Sequence, residues 1–332
     1  MLTIDQIRAL SELDPEYVAV QESGALKEMT WNQSTDIHEM RAAGLHMIAS
    51  LSKPDPAILT YTEEDIVIPT RDGTDLPARV YRPRDLSVDG GPGLVTFHGG
   101  GFITGHLAMQ ADLCTKFVSL GGVAVSIGYR LAPEFPFPTA VNDAFDTTNW
   151  TAQNAGSLGI NPSKGLLIGG ISAGADLCLA VSYLCRESRM SPPLTGVYAS
   201  IMTGLDAGNV PDRYKDRFFS MDQNKDSYML SAGSVSFFRK HYAPEPNNPL
   251  AWPAALPDHK GLPKTYFQVC GLDPLRDCGL ITEQVWKDAG VPTRLDIYPG
   301  LPHGFWYVLP QIKATRQHSE DSLQGLKWLL DQ

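Results

Sequence analysis

The chain has 332 residues, 43% hydrophobic and 19% charged, with 27 Lys and Arg against 37 Asp and Glu for a net charge of −10. That apolar content builds a large core, and at roughly 150 residues per domain the length fits two domains or one large α/β domain with an insertion. The acidic balance, without a clustered Lys/Arg run, excludes nucleic acid and anionic lipid surfaces as partners, because both need a basic footprint.

Residues 1–56 read as a helical segment. Thr3 and Gln6 have capping-box spacing, and Ile4, Ile7 and Leu10 share one apolar face. Asp14-Pro15-Glu16 reads as a cap followed by proline at the first helical position. A further helix spans about Thr35 to Leu51, stopped by Lys53-Pro54-Asp55-Pro56. From Glu64 the apolar period changes to two. Ile66 and Ile68, the turn Arg71-Asp72-Gly73, and Leu76, Ala78 and Val80 predict a hairpin.

Short apolar runs then alternate with helical stretches. The predicted strands are Gly93 to Phe97, Val123 to Tyr129, Gly165 to Ile168, Thr265 to Val269 and Thr293 to Tyr298. The clearest helices are Ala173 to Glu187 and Gly279 to Ala289. Apolar strands separated by helices predict an α/β fold, a mostly parallel sheet covered on both faces. Asp206 to Pro249, rich in Asp, Asn, Lys and aromatics, interrupts this rhythm as an insertion with short helices. The expected organisation is a helical segment at 1–56, an α/β unit at 57–205 and 250–332, and an insertion at 206–249.

The five cysteines, Cys114, Cys178, Cys185, Cys270 and Cys278, are scattered, odd in number and without a CxxC pair. A disulfide framework and a zinc knuckle are excluded on that pattern. Asp5 and Arg8 interrupt any apolar leader, and no run approaches the roughly 20 apolar residues of a membrane span. A soluble, cytoplasmic protein is expected.

The strongest chemical signal is Gly170-Ile171-Ser172-Ala173-Gly174, after the apolar run Leu166-Leu167-Ile168 and before a predicted helix. A serine on a sharp strand-to-helix turn needs small neighbours, and the turn lifts its Oγ beside a helix N-terminus. The plain alternative is a glycine-rich turn with an incidental serine; the flanking strand and helix favour the first reading. A second signal, His98-Gly99-Gly100-Gly101-Phe102, follows the strand Leu94 to Phe97. Consecutive glycines let backbone N–H groups point at a ligand oxygen, which is what an oxyanion hole requires. No GxxxxGK[ST] occurs and the GxGxxG spacing fails at Thr104, which removes phosphate-loop and dinucleotide readings.

A base and an orienting acid should follow in the order Ser, Asp or Glu, His. Among eight histidines, His303 lies just after the last predicted strand, on the sheet edge where ligands bind. His98 belongs to the glycine loop and is expected to prop it. Asp273 ends a strand thirty residues before His303; Asp277, one turn into the next helix, reads as a cap or ion-pair residue. No HExxH zinc motif occurs. Asp222 to Asp226 begins like a calcium loop, but Ser227 replaces the required glycine and Gly233 the bidentate glutamate.

Taken together, these motifs resemble the hormone-sensitive-lipase family of α/β-hydrolases, which includes many microbial carboxylesterases. His98 to Phe102, Tyr129-Arg130-Leu131-Ala132-Pro133-Glu134 with Phe137-Pro138, Gly170 to Gly174, Asp273 to Asp277 and His303-Gly304-Phe305 carry the resemblance, in family order over about residues 64–310. It implies an α/β-hydrolase fold with Ser172 as nucleophile, His303 as base and Asp273 as acid. It also implies oxyanion donors at the N–H groups of Gly99, Gly100 and Ala173, and a cap from the N-terminal helices and the insertion. Ile171 stands where the family usually has Asp, Ala175-Asp176 where it has Gly-Asn, Gly128 where an acidic residue is common, and Cys278 where Glu is common.

The expected activity is hydrolysis of short- to medium-chain carboxylic esters through an acyl-enzyme, with a small-molecule ester as partner and no cofactor or metal. Phe102 and the aromatics in and beside the insertion (Tyr214, Phe218, Phe219, Tyr228 and Trp252) are the candidate pocket residues. Alternatives are a specialised secondary-metabolite acetyl ester, as in similar fungal members, amide or formamide hydrolysis, and acyl transfer. A non-catalytic binding protein, like similar plant hormone receptors that lost the histidine, is disfavoured by His303 and its acid. The resemblance allows a homodimer without requiring one.

Overall fold

The runs Leu94-Val95-Thr96-Phe97 and Val123-Ala124-Val125-Ser126-Ile127 are buried along their whole length, so apolar layers must cover both faces of the sheet that holds them. The computed structural model describes residues 2–26, 34–50 and 59–331 and shows those layers. Among the described residues three helices come first, α1 (Ile4–Ala9), α2 (Pro15–Glu22) and α3 (Ile37–Ser50). The Thr3–Gln6 capping box forms, with Thr3 Oγ1 accepting from Gln6 N at 3.2 Å and Gln6 Oε1 accepting from Thr3 N at 2.9 Å. Asp14 caps α2 by accepting from the amides of Glu16 and Tyr17. The expected stop at Lys53 to Pro56 lies outside the described residues.

The hairpin follows as β1 (Tyr61–Pro69) and β2 (Asp75–Pro83). After it come β3 (Gly93–Phe97), α4 (Ala111–Ser119), β4 (Val123–Ile127), α5 (Thr139–Gln153), α6 (Ala155–Leu158), β5 (Leu166–Ile171) and α7 (Ala173–Glu187). The chain continues through β6 (Gly196–Ser200), α8 (Ser220–Gln223), α9 (Ala232–Tyr242), β7 (Lys264–Cys270), α10 (Arg276–Asp288), β8 (Thr293–Tyr298) and α11 (Lys313–Leu330). Strand β6 was not predicted. It opens on glycine and ends on serine, yet all five of its residues are buried between β5 and β7.

The sheet has the order β1-β2-β4-β3-β5-β6-β7-β8, with β2 antiparallel to both its neighbours and the remaining pairs parallel. Alternate side chains go to opposite layers. Val95, Phe97 and Ile168 pack with α5, α7 and α10 through Val141, Leu177 and Trp286. Leu94, Leu167 and Tyr266 pack with α4 and α11 through Phe117, Leu326 and Leu329. The expected α/β class, a mostly parallel sheet with helices on both faces, is the architecture found.

The strand order places the functional end. From β3 the chain crosses to β4 on one side and later returns to β5 on the other, so a crevice opens beyond the carboxyl ends of β3 and β5. Their register pairs Phe97 with Gly170, which sets the glycine loop beside the serine turn. Asp273 follows β7 and His303 follows β8, at the same end of the sheet. All five cysteines are buried and unpaired, and no described helix is long and apolar enough to cross a membrane. Phe117 is fully buried in the α4 layer. Phe117→Ala should therefore cost about 3–5 kcal/mol in urea unfolding, as cavity formation at a large aromatic does; a loss below 1 kcal/mol would contradict this packing.

Candidate active site

Ser172 is the residue at which β5 turns into α7, with φ 54° and ψ −123°, a backbone region that side-chain-bearing residues avoid. The glycines around it are required by contact. A Cβ on Gly170 would lie 2.2 Å from the Gly174 carbonyl carbon, and one on Gly174 would lie 2.0 Å from the Phe97 oxygen. Strand, helix and the end of β3 thus meet at backbone distance. The Ser172 amide donates to the Ser200 carbonyl at 2.8 Å, tying the turn to β6.

His303 sits on the turn after β8 with Nε2 3.1 Å from Ser172 Oγ and Nδ1 2.6 Å from Asp273 Oδ2. Asp273 is 1% exposed, and its second oxygen accepts from the Leu275 amide at 2.8 Å. A carboxylate so held turns its Oδ2 toward the imidazole. Asn224, from the insertion, donates to the carbonyls of Gly271 and Asp273 at 3.1 and 2.9 Å. Ser11 donates in turn to Asn224 Oδ1 at 2.8 Å. Sequence reasoning met Asn224 only inside the rejected calcium loop, and no local pattern marks its role. Asp277 faces elsewhere: it accepts from the amides of Phe219 and Ser220 and pairs with the buried Arg276, so it anchors the insertion.

In the glycine loop, Gly100 has φ 114° and its carbonyl accepts from the amides of Ile103 and Thr104 at 3.1 and 3.0 Å. A Cβ on Gly99 would lie 3.3 Å from the Ser172 Cβ, so loop and serine are in contact. Among the described residues, the amides of Gly99, Gly100 and Ala173 donate no hydrogen bond within the protein. His98 props this loop. Its Nδ1–H donates to the Gly99 carbonyl at 2.8 Å, its ring stacks on Tyr129 at 4.2 Å, and Tyr129 Oη donates to the His98 carbonyl at 2.8 Å. Burial pushes the His98 pKa down to about 4, which keeps the ring neutral near pH 7.

A cavity of about 1060 Å³ opens onto Ser172 and His303. Phe102 and Trp252 line it, as do Phe238, Tyr242, Tyr307 and residues of α3. Phe102 lies flat on Tyr242 with ring centres 3.7 Å apart. Three candidate pocket residues are corrected. Tyr214 donates its hydroxyl to Asp288 on α10, Phe218 packs against the main core, and Phe219 lies under the guanidinium groups of Arg8 and Arg276. Each is used to fasten the insertion to the body of the fold, which an aromatic count cannot reveal. Tyr228 also lies off the cavity, packed with the cluster around Tyr17 and Ile201. Ile171 lines the cavity and adds to its apolar wall. Among the described residues no group of three His, Cys, Asp or Glu side chains is arranged to hold a metal ion.

Residues 94–307 match the family described as alpha/beta hydrolase fold. An AB hydrolase superfamily protein of Schizosaccharomyces pombe is 36% identical over 306 residues, which are 89% of this chain and 88% of that one. The versiconal hemiacetal acetate esterase of Dothistroma septosporum is 32% identical over 86% of this chain and 88% of its own length. Among solved structures, vibralactone cyclase superposes with a TM-score of 0.87 at 32% identity, covering 97% of this chain and 96% of that chain.

Asp176, one turn into α7, is 4% exposed. It accepts from the hydroxyl and amide of Thr203 and, at 2.7 Å, from the Gly204 amide. These three donors suit a carboxylate, which only accepts, and they tie the segment after β6 to the serine-bearing helix. Burial nevertheless pushes the Asp176 pKa up to about 6. A raised carboxyl pKa contributes stability that is full below the unfolded value of 3.8 and lost as pH rises through about 6. The folding free energy of the wild type relative to Asp176→Asn should therefore be more favourable at pH 4 than at pH 7 in urea melts. A pH-independent difference would refute the assignment.

Proposed function

This chain belongs to the hormone-sensitive-lipase-like family of α/β-hydrolases, and from that membership and the geometry around Ser172 we propose that it is a serine carboxylesterase. The observation that carries this is the continuous hydrogen-bonded chain from Ser172 Oγ through His303 to the buried Asp273, ending on an apolar cavity.

In this reading His303 Nε2 takes the Ser172 hydroxyl proton as Oγ attacks the ester carbonyl, giving a tetrahedral oxyanion. Asp273 holds the imidazole with Nδ1–H toward itself and stabilises the imidazolium. The amides of Gly99, Gly100 and Ala173 receive the oxyanion, each contributing on the order of 3 kcal/mol in the transition state. The C–O bond to the alcohol breaks, His303 returns the proton to the leaving oxygen, and the acyl group remains on Ser172. Water, deprotonated by the same imidazole, then releases the acid and restores the serine. The apolar cavity suits the hydrocarbon parts of a short- to medium-chain ester, and the likeness to the Dothistroma acetate esterase supports an ester substrate.

A second reading keeps the acyl-enzyme but passes the acyl group to a hydroxyl of the same substrate. It is favoured by the likeness to vibralactone cyclase over 97% of the chain. Mass spectrometry of the product separates the two, since hydrolysis adds one water to an ester substrate and internal transfer does not.

Wild-type protein should hydrolyse p-nitrophenyl esters and be labelled by a fluorophosphonate at Ser172. Ser172→Ala should lose about 10⁶-fold in kcat, as nucleophile loss does in triad enzymes, together with the label. Asp273→Asn should lose on the order of 10⁴-fold through the wrong imidazole tautomer. Near-wild-type turnover in Ser172→Ala would overturn the proposal.

A further inference from the structure

The glycine loop continues past its free amides into a strained turn, which the Gly100 carbonyl closes by accepting from the amides of Ile103 and Thr104. Gly100, Gly101 and Phe102 have φ of 114°, 59° and 66° in succession, and for Phe102 that backbone is strained. Strain of this kind persists only where surrounding groups restrain it. Two bonds fall just after the turn. The Phe102 carbonyl accepts from the Ala132 amide at 2.9 Å, and the Ile103 carbonyl accepts from Arg41 Nε at 2.7 Å.

Arg41 lies on α3, outside residues 94–307 and sixty-two residues before the carbonyl it binds. Its guanidinium spans three groups at once: Nε to Ile103, one terminal nitrogen to the Ala132 carbonyl at 2.6 Å, and both terminal nitrogens to the Glu134 carboxylate at 2.8 and 2.9 Å. Ile103 and Ala132 are both buried, so each backbone would lose a charge-assisted bond without this side chain. The hydrogen bonds from the Arg41 guanidinium hold the Glu134 pKa down to about 2, which keeps that carboxylate ionised across the neutral range.

We propose that Arg41 is a positioning residue for the oxyanion loop, pinning Ile103 and Ala132 together so that the Gly99 and Gly100 amides keep the direction that the tetrahedral oxyanion needs. The inference rests on the esterase reading above. Glu134 orients the guanidinium, and Arg41 itself touches no reacting atom. Because every ester generates the same oxyanion, the effect of losing Arg41 is independent of substrate size. Arg41 also forms part of the cavity wall, and a role limited to that wall would instead grow with the size of the substrate.

The test compares wild type, Arg41→Ala, Arg41→Lys and Glu134→Gln on p-nitrophenyl acetate and octanoate, with active sites counted by fluorophosphonate titration. For Arg41→Ala the expected result is a kcat per titrated site about tenfold lower on both esters, with KM within about twofold. Arg41→Lys cannot span all three groups and should lose more kcat than Glu134→Gln, which leaves the bond to Ile103 in place. An unchanged kcat per titrated site in Arg41→Ala, or a loss confined to octanoate, would overturn the proposal. If Arg41→Ala fails to fold, equal kcat in Arg41→Lys and Glu134→Gln overturns it and the stated order supports it. A wild-type protein that neither takes the label nor turns over either ester would instead remove the esterase reading, and this inference with it.

Discussion

The left-handed backbone at Ser172 is the constraint on which the rest of the site depends. The turn brings β5, α7 and the end of β3 to backbone contact, and only Gly170 and Gly174 permit that approach. From it follow the position of Oγ beyond the sheet, the opening of α7 toward the cavity, and the contact between Gly99 and the serine. The strain is restrained by the Ser172 amide's bond to Ser200 on the neighbouring strand. A buried parallel sheet supplies the rigidity this requires, since its central strands are packed on both faces.

Around that turn, three aspartates are put to different use by their surroundings. Asp273 ends on a loop where one oxygen meets the Leu275 amide and the other the His303 imidazole. Asp277, four residues on, receives two amides from the insertion and the Arg276 guanidinium. Asp176 accepts from Thr203 and Gly204, and burial outweighs these bonds and the Arg239 charge in its ionisation. On the proposed reading, the insertion does more than cover the site. Asn224 holds the carbonyls of Gly271 and of Asp273 itself, and Asp277 holds the insertion in return.

The parts of this arrangement that could be read in advance are local. A period-two pattern marked the hairpin, continuous apolar runs marked five strands of the sheet, and the spacing of Gly170, Ser172 and Gly174 marked the sharp turn. Strand-end placement singled out Asp273 and His303, which the structure sets within hydrogen-bonding reach of one another. Strand β6 escaped because its glycine and serine mask an environment that is wholly buried. The pocket aromatics were misassigned for a related reason. Tyr214, Phe218 and Phe219 have the composition of a binding surface, but their partners on α10, the core and two arginines face them away from the cavity.

By itself, then, the sequence singled out Ser172, Asp273 and His303, the side chains that the proposed mechanism uses, and determined the α/β class and the glycine turns. Each of these is dictated within a few residues by steric access to φ and ψ or by burial period. The tertiary structure alone decided which residues hold those groups in place. Ser11 reaches Asn224 across 213 residues and Arg41 reaches Ile103 across 62, and no local pattern encodes a bond between segments so far apart. Such contacts exist only because the sheet order brings the segments to one edge, where a buried carbonyl or carboxylate must find a donor or be left unsatisfied.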